Sequence, residues 1–433
     1  MSYKDTELSV TYIQNTIILF QVNFKYICRM LQKRRSQFEF IALMASLMSL
    51  VALSIDALLP ALEEIGISIN VQESHQNQLL ITMIFLGLGV GQLFFGPISD
   101  SFGRKPMIYL GFLLFVIASF ICVSATNLEM MIFGRILQGI GLSAPRTISI
   151  AMVRDSFSGN YMAKIMSFIV VIFILVPVVA PAIGKVMLDF YGWRFIFYSQ
   201  LIYGCFVLLW LRKRQPETLP IEKRIPFSFN LFFNGTKEFL KYKQAVVFTL
   251  ISGFVTGSFI VYLSASQQIF QEQYHLKEEF PYIFAGLAIT VGLATFLNGT
   301  FVVRFGMLRL VSVFLVFFTA IPLLYGLLFF GKPNPSIGVL LFFFGIQFFA
   351  LGFLFGNLRA LAMQPVGHIA GIGAAINGFV STVMAVPIAT FIGSYVITTT
   401  LPLFLGFLVC GLLSLLLLFY LRLQRRKELV KLT

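Results

Sequence analysis

Along the chain, apolar runs of about 20 residues alternate with short polar joints. Such runs match a hydrocarbon layer roughly 30 Å thick crossed by α-helices, which satisfy their own backbone groups where no water can. Twelve spans are predicted, at 39–62, 77–99, 106–126, 129–153, 162–187, 194–213, 244–270, 281–303, 309–331, 336–363, 371–397 and 400–422. The longest internal polar joint runs from Arg212 to Lys243 and holds Pro216, Pro220 and Pro226. It divides the spans into six plus six. The expected organisation is a tail at 1–38, a six-helix bundle at 39–213, a central loop at 214–243, a second bundle at 244–422 and a basic tail at 423–433.

A short internal repeat supports the division. GPISDSFGRK after span 2 aligns with GTFVVRFGML after span 8 at an offset of 203, which sets Gly96 over Gly299 and Phe102-Gly103 over Phe305-Gly306. Two halves built alike suggest alternating access around a central site.

Composition agrees with the pattern. Of 433 residues 58% are hydrophobic and 12% charged, where a soluble globular chain carries roughly 25% charged residues. The mean hydropathy is +0.89. A net charge of +14 raises the question of nucleic acid, and the placement of the charges answers it. About 25 of the 32 basic residues fall in alternate joints, and about 4, Lys185, Arg194, Lys277 and Lys332, fall in the others. The positive-inside rule then puts both termini in the cytoplasm, with the basic joints against anionic lipid and no nucleic-acid partner. Cys28, Cys122, Cys205 and Cys410 have no paired spacing and suggest neither a disulfide framework nor a metal site. The N-terminus lacks a signal peptide; an interfacial segment at 1–38 and a true start at Met30 are both open.

Few residues inside the spans can carry chemistry. Asp56, in LMSLVALSIDALLPALEE, is the one carboxylate well inside an apolar run. A charged Asp at mid-membrane costs on the order of 2.5–3.5 kcal/mol, so it faces a cavity or a partner. Desolvation favours the neutral form of a carboxylate, which makes Asp56 a candidate proton carrier; the alternative is a structural ion pair. Span 4, GRILQGIGLSAPRTISIAMVRD, holds Arg135 and Arg146, eleven residues or about three turns apart and so on one face at two depths. One is expected to answer Asp56 or a substrate, with snorkelling to an interface as the alternative, above all for Arg146. Pro177, Pro181 and Gly184 interrupt span 5 and fit either a gate or close packing. Asn298, Gln347, Asn357, Arg359 and Asn377 are polar groups inside spans 8, 10 and 11; Asn357 and Asn377 are candidate cavity groups, with interhelical bonding as the plainer reading of all five. The 50 Phe are read as lipid-facing or packing residues.

Four passages resemble the major facilitator superfamily, and within it the drug-proton antiporters of the bicyclomycin-resistance (Bcr/CflA) type, from about Phe40 to Leu421. SIDALLPAL is similar to that type's span-1 signature and maps its membrane carboxylate onto Asp56. GPISDSFGRKP resembles the superfamily loop between helices 2 and 3, mapping onto Gly96, Asp100, Gly103, Arg104 and Lys105. RILQGIG resembles the antiporter pattern of helix 4, mapping onto Arg135, Gln138, Gly139 and Gly141 and associated there with proton coupling. VPVVAPAIG followed by GWRFIF resembles helix 5 and the start of helix 6, at Pro177, Pro181, Gly184, Trp193 and Arg194. Three positions depart from the patterns: Ser101 follows Asp100 in place of a basic residue, Lys185 stands where a second Gly is expected, and Val303 replaces the acid in the second-half loop. Lys185 is expected to weigh against cationic substrates.

The resemblance implies an all-α membrane protein of twelve helices in two six-helix halves, multi-pass in the bacterial inner membrane. Its implied work is the export of drugs in exchange for protons, with Asp56 and Arg135 in the coupling and the 96–105 loop as a conformational latch. A monomer with small-molecule substrate, protons and lipid as partners, and no cofactor beyond the coupling ion, is expected. A dedicated exporter of one metabolite, amino acid or siderophore is the runner-up; a passive facilitator or a sensor ranks lower. No enzyme is indicated, because HExxH, a nucleophile with a nearby His and a phosphate-cradling glycine loop are all lacking.

Overall fold

The computed structural model describes residues 37–226 and 228–432, and every regular element among them is helical. The tail at 1–36, with Cys28 and Met30, lies outside the described residues. Twelve long helices follow in order: α1 Gln37–Asp56, α2 Leu79–Phe102, α3 Arg104–Val123, α4 Leu128–Ser156, α5 Gly159–Tyr191, α6 Trp193–Arg214, α7 Lys243–Gln267, α8 Phe280–Phe305, α9 Met307–Phe329, α10 Ile337–Met363, α11 Ala370–Gly393 and α12 Leu401–Leu432.

By length and apolarity, eleven helical segments among the described residues qualify to cross a membrane, one of them the 57-residue stretch Ile337–Gly393. At 1.5 Å per residue that stretch would be about 85 Å long, nearly three hydrocarbon thicknesses. It is two helices: α10 and α11 meet at a 3-10 turn, Gln364–Ile369, where Val366 leaves helical geometry at φ −112° and ψ 25°.

Polar and apolar surfaces are arranged for lipid. Leu113 and Phe120 on α3, Leu327 on α9 and Leu416 on α12 are exposed, while Gln138, Gln347 and Asn377 are buried. Helices α1 to α6 pack on one another, as do α7 to α12, and between the groups α2 lies along α11 and α5 along α8.

Two features depart from the pattern of spans. The first span, expected as one helix over 39–62, breaks after Asp56 into a 3-10 turn, Leu59–Ala61, and a short helix, Leu62–Ser68. Pro60 is the local cause, since it has no N–H to give the carbonyl of residue 56. The central joint contains an amphipathic helix, Phe229–Lys241. It seats Phe239 in a cluster with Ala245, Val366 and Ile376, and the sequence hid it because it is too short and polar to register as a span. Helix α12 also runs past 422 through most of the expected tail.

The internal repeat has a backbone basis. Gly103 at φ +101° ends α2 and begins α3, and Gly306 at φ +78° does the same between α8 and α9. Both turns need the left-handed region that glycine enters freely.

Candidate functional site

The break in the first span creates the site. The Ala57 N–H still reaches the Leu53 carbonyl at 3.2 Å, but the Leu58 N–H turns to Ile55 at 3.4 Å. The Ser54 carbonyl thereby loses its helical donor and is taken by the Arg135 guanidinium at 3.0 Å. Gln200 of α6 adds a longer bond, 3.4 Å, to the Leu53 carbonyl. Arg135 of α4 thus stands in for the donor a continuous helix would have supplied to Ser54, and Gln200 of α6 adds a second donor to a carbonyl that keeps its own.

Arg135 is fully buried and its fork is spent: Nε donates to the Leu80 carbonyl at 2.8 Å and Nη1 to Gln138 Oε1 at 2.6 Å. Gln138 passes the chain on to Ser119 Oγ at 3.1 Å. The expectation is that Arg135 or Arg146 answers Asp56 or a substrate; Arg135 forms no ion pair with Asp56 among the described residues, and its guanidinium grips the backbone of α1 at Ser54 and of α2 at Leu80. Its tie to Asp56 runs through Ser54, two residues before it.

Asp56 is 5% exposed and forms no ion pair among the described residues. It lines a cavity of about 300 Å³ bounded by α1, α2, α4 and α5 on one side and α7, α8 and α10 on the other. Arg146 reaches this cavity, and so does Arg359 of α10. Tyr262 also lines it, and its hydroxyl is buried without a hydrogen-bond partner among the described residues. Apart from Thr256, the remaining wall is apolar, much of it Phe85, Phe173, Phe259, Phe284, Phe348 and Phe355.

Pro177 lines the cavity as well, and Pro181 is buried beside it in α5. Gly184 packs α5 against the break: a Cβ there would overlap the backbone carbonyl of Ala57, the residue after Asp56. Gly139 likewise lets α4 touch the backbone of α2 at Ile84, and Gly141 that of α3 at Gly111. Two candidate groups are elsewhere. Asn357 bonds Asn298 of α8 at 2.7 Å and Asn377 bonds Thr249 of α7 at 2.8 Å, so each joins a pair of helices and neither lines this cavity. Lys185 does not face it either; it pairs with Asp189 at 2.9 Å and Glu278 at 3.0 Å, and its charge is held at the end of α5.

The 96–105 loop forms a second cluster. Arg104, 3% exposed, pairs with Asp100 at 2.6 Å and with Asp155 at the end of α4 at 2.8 Å, and donates to Ser99 Oγ at 2.7 Å. Glu217, from the segment after α6, accepts the backbone N–H groups of Arg104 at 3.0 Å and Lys105 at 2.9 Å. A carboxylate at a helix N-terminus is favourably placed, and here it is Glu217, while Asp100 serves as the basic partner's acceptor. Lys105 Nζ closes the cluster on the Gln215 carbonyl at 2.6 Å. A Cβ added at Gly96 would meet only Thr147, at an ordinary contact distance, so no close approach demands glycine there.

Sequence reasoning missed Tyr262 and the cavity phenylalanines, which carry no pattern that separates them from the other aromatics. Arg359 was visible as an intramembrane cation of the same kind as Arg135. Asp155 and Glu217 gave no local signal, because their partners are 51 and 112 or more residues away.

Residues 40–389 match the family model described as Major Facilitator Superfamily. An uncharacterized MFS-type transporter, YdgK, of Bacillus subtilis is 31% identical over 81% of this chain and 87% of its own length. A bicyclomycin resistance protein homolog of Haemophilus influenzae is 28% identical over 92% of this chain and all of its own. Among solved structures, a D-xylose-proton symporter superposes with a TM-score of 0.69 at 15% identity, over 88% of this chain and 97% of that one, a likeness of fold. The family and these relatives are transporters and not enzymes.

Proposed function

We propose, for a chain that belongs to the Major Facilitator Superfamily, that it exports small molecules, drugs among them, across the bacterial inner membrane in exchange for protons. One observation carries the reading: Asp56, an intramembrane carboxylate without an ion-pair partner among the described residues, lines a cavity shared by α1, α2, α4 and α5 with α7, α8 and α10. Helices α1–α6 and α7–α12 act as two halves that rock about this cavity, with α2 against α11 and α5 against α8 as the surfaces on which they move. The basic joints support a cytoplasmic position for the termini and the 214–243 segment.

Asp56 takes a proton from the outer side and yields it inside as substrate replaces it. Each inward proton gains about 2.3 kcal/mol per 100 mV, enough for roughly fifty-fold concentration of a substrate at one-to-one exchange. Arg135 positions the broken helix that presents Asp56. The cluster of Asp100, Arg104, Lys105, Asp155 and Glu217 ties α2, α3, α4 and the post-α6 segment together at the cytoplasmic end and latches one access state. The name of the Haemophilus relative supports drugs as substrates; the chain works as a monomer.

The test is a growth and efflux panel in a bacterial host stripped of its own pumps. Raised tolerance to several unrelated drugs, lost when the proton gradient is collapsed, is expected. Resistance or efflux restricted to a single metabolite class would replace multidrug export with the dedicated exporter, and efflux indifferent to the gradient would remove the antiport.

A further inference from the structure

We infer that the cavity takes a small aromatic zwitterion, its ammonium group on Asp56 and its carboxylate on Arg146 and Arg359; the inference rests on this cavity being the transport site proposed above. Three ionisable side chains share one apolar chamber, and none of the three forms an ion pair among the described residues. Other intramembrane cations of the chain are spent: Arg135 on carbonyls and Gln138, Lys185 on Asp189 and Glu278. Arg146 and Arg359 are left facing the same space as Asp56.

The presence of both signs in the wall, more than its net charge, selects the substrate. Leaving buried Asp56 charged and unpaired in such a wall is costly; Arg146 is half-buried and Arg359 exposed, so the cost is smaller there. A neutral ligand would leave all three unpaired, and a cation would sit against two guanidinium groups. An anion would satisfy the arginines but lie beside an ionised Asp56. A zwitterion pairs with both signs, and two guanidinium forks suit one carboxylate through charge-assisted bonds. Phe259, Phe284 and Phe348 line the same cavity, and an aromatic ligand packs on such rings edge-to-face or offset. A volume of about 300 Å³ is at the small end for ligand pockets and admits one or two rings.

The same arithmetic bears on coupling. An ammonium group competes with a proton for Asp56, which is the exclusion that exchange requires. A purely anionic substrate would bind best beside a protonated Asp56 and would travel with the proton.

Four derivatives of one body, 2-naphthylalanine, make the test: the free amino acid, its amide, its N-acetyl form and its N-acetyl amide, respectively zwitterion, cation, anion and neutral. Equilibrium binding to the purified full chain in detergent, at neutral pH without a gradient, is expected to favour the zwitterion by about tenfold over each of the others, the worth of one ion pair of about 1.4 kcal/mol. With Arg146→Gln and Arg359→Gln combined, the amide should lose its disadvantage; with Asp56→Asn, the N-acetyl form should lose its own. Arg359→Lys, which keeps the charge, should keep the preference and shows that a flat result in the Gln variant is not misfolding. Equal binding of all four by the native chain, tighter binding of the cation, or preferences unchanged in the variants would overturn the inference. A zwitterion preference without proton exchange in vesicles would leave it standing and remove the antiport, whereas proton exchange driven by neutral drugs with flat binding would do the reverse.

Discussion

The Arg135 guanidinium donates to the Ser54 carbonyl at 3.0 Å, a backbone group that the break at Asp56 has deprived of its helical donor. A cation of the fourth helix thereby holds the first helix open where the carboxylate is presented. The arrangement explains why an arginine is tolerated in mid-span without an acidic partner: it is surrounded by carbonyl and amide oxygens that need donors.

Arg135→Lys is expected to fail although it keeps the charge. Lysine has no fork to reach Leu80, Gln138 and Ser54 together. Each buried acceptor left empty costs about 1–3 kcal/mol, so thermal unfolding in detergent should fall clearly and drug efflux should drop at least severalfold. Native stability and efflux in Arg135→Lys would show that the bonds to Ser54 and Leu80 do not position Asp56.

Glycine substitutions should separate close packing from mere presence in a motif. Gly184→Ala drives a methyl into the Ala57 carbonyl and Gly139→Ala into that of Ile84, and each is expected to destabilise by about 1–3 kcal/mol through forced helix displacement. Gly96→Ala meets only Thr147, at 3.8 Å, and should stay within about 0.5 kcal/mol of native. Unfolding curves of the three variants decide the matter, and a Gly96→Ala loss equal to that of Gly184→Ala would contradict the packing account.

The loop cluster predicts an order among its acids. Asp155→Asn removes one of two carboxylates from nearly buried Arg104, a loss of up to about 3–5 kcal/mol when a buried pair is broken. Glu217→Gln keeps one of the two acceptor oxygens that hold the α3 N-terminus, and gives up its charge, worth about 0.3–1 kcal/mol, and one hydrogen bond, worth about 0.5–1.5 kcal/mol. Asp155→Asn should therefore lower the unfolding temperature more than Glu217→Gln, and both should slow efflux if the latch sets the exchange of access states. A Glu217→Gln effect exceeding that of Asp155→Asn would assign the latch to the helix terminus instead of the Arg104 pair.

Much of this was legible in the sequence, for identifiable reasons. Hydrophobic period and length set the spans to within a few residues, since lipid permits few alternatives to a helix of that length. The cost of charge in hydrocarbon singled out Asp56, Arg135 and Arg146. What stayed hidden depends on distance in the chain. Nothing near Arg135 announces Ser54 as its partner, and nothing near Glu217 announces the α3 N-terminus. Pro60 was readable as a breaker, yet the apolar run around it suggested an unbroken first helix. The cavity aromatics were lost among 50 phenylalanines, because facing a cavity and facing lipid ask for the same side chain.

The central claim is that Asp56 carries the exchanged proton, and inverted membrane vesicles with an imposed pH gradient test it most directly. Proton release is recorded on adding phenicols, quinolones, lipophilic cations and amino acids to vesicles holding the native chain or Asp56→Asn at matched abundance. The account predicts release by several of these in native vesicles and none in the variant. Release from Asp56→Asn equal to native would contradict it and place the coupling on another group.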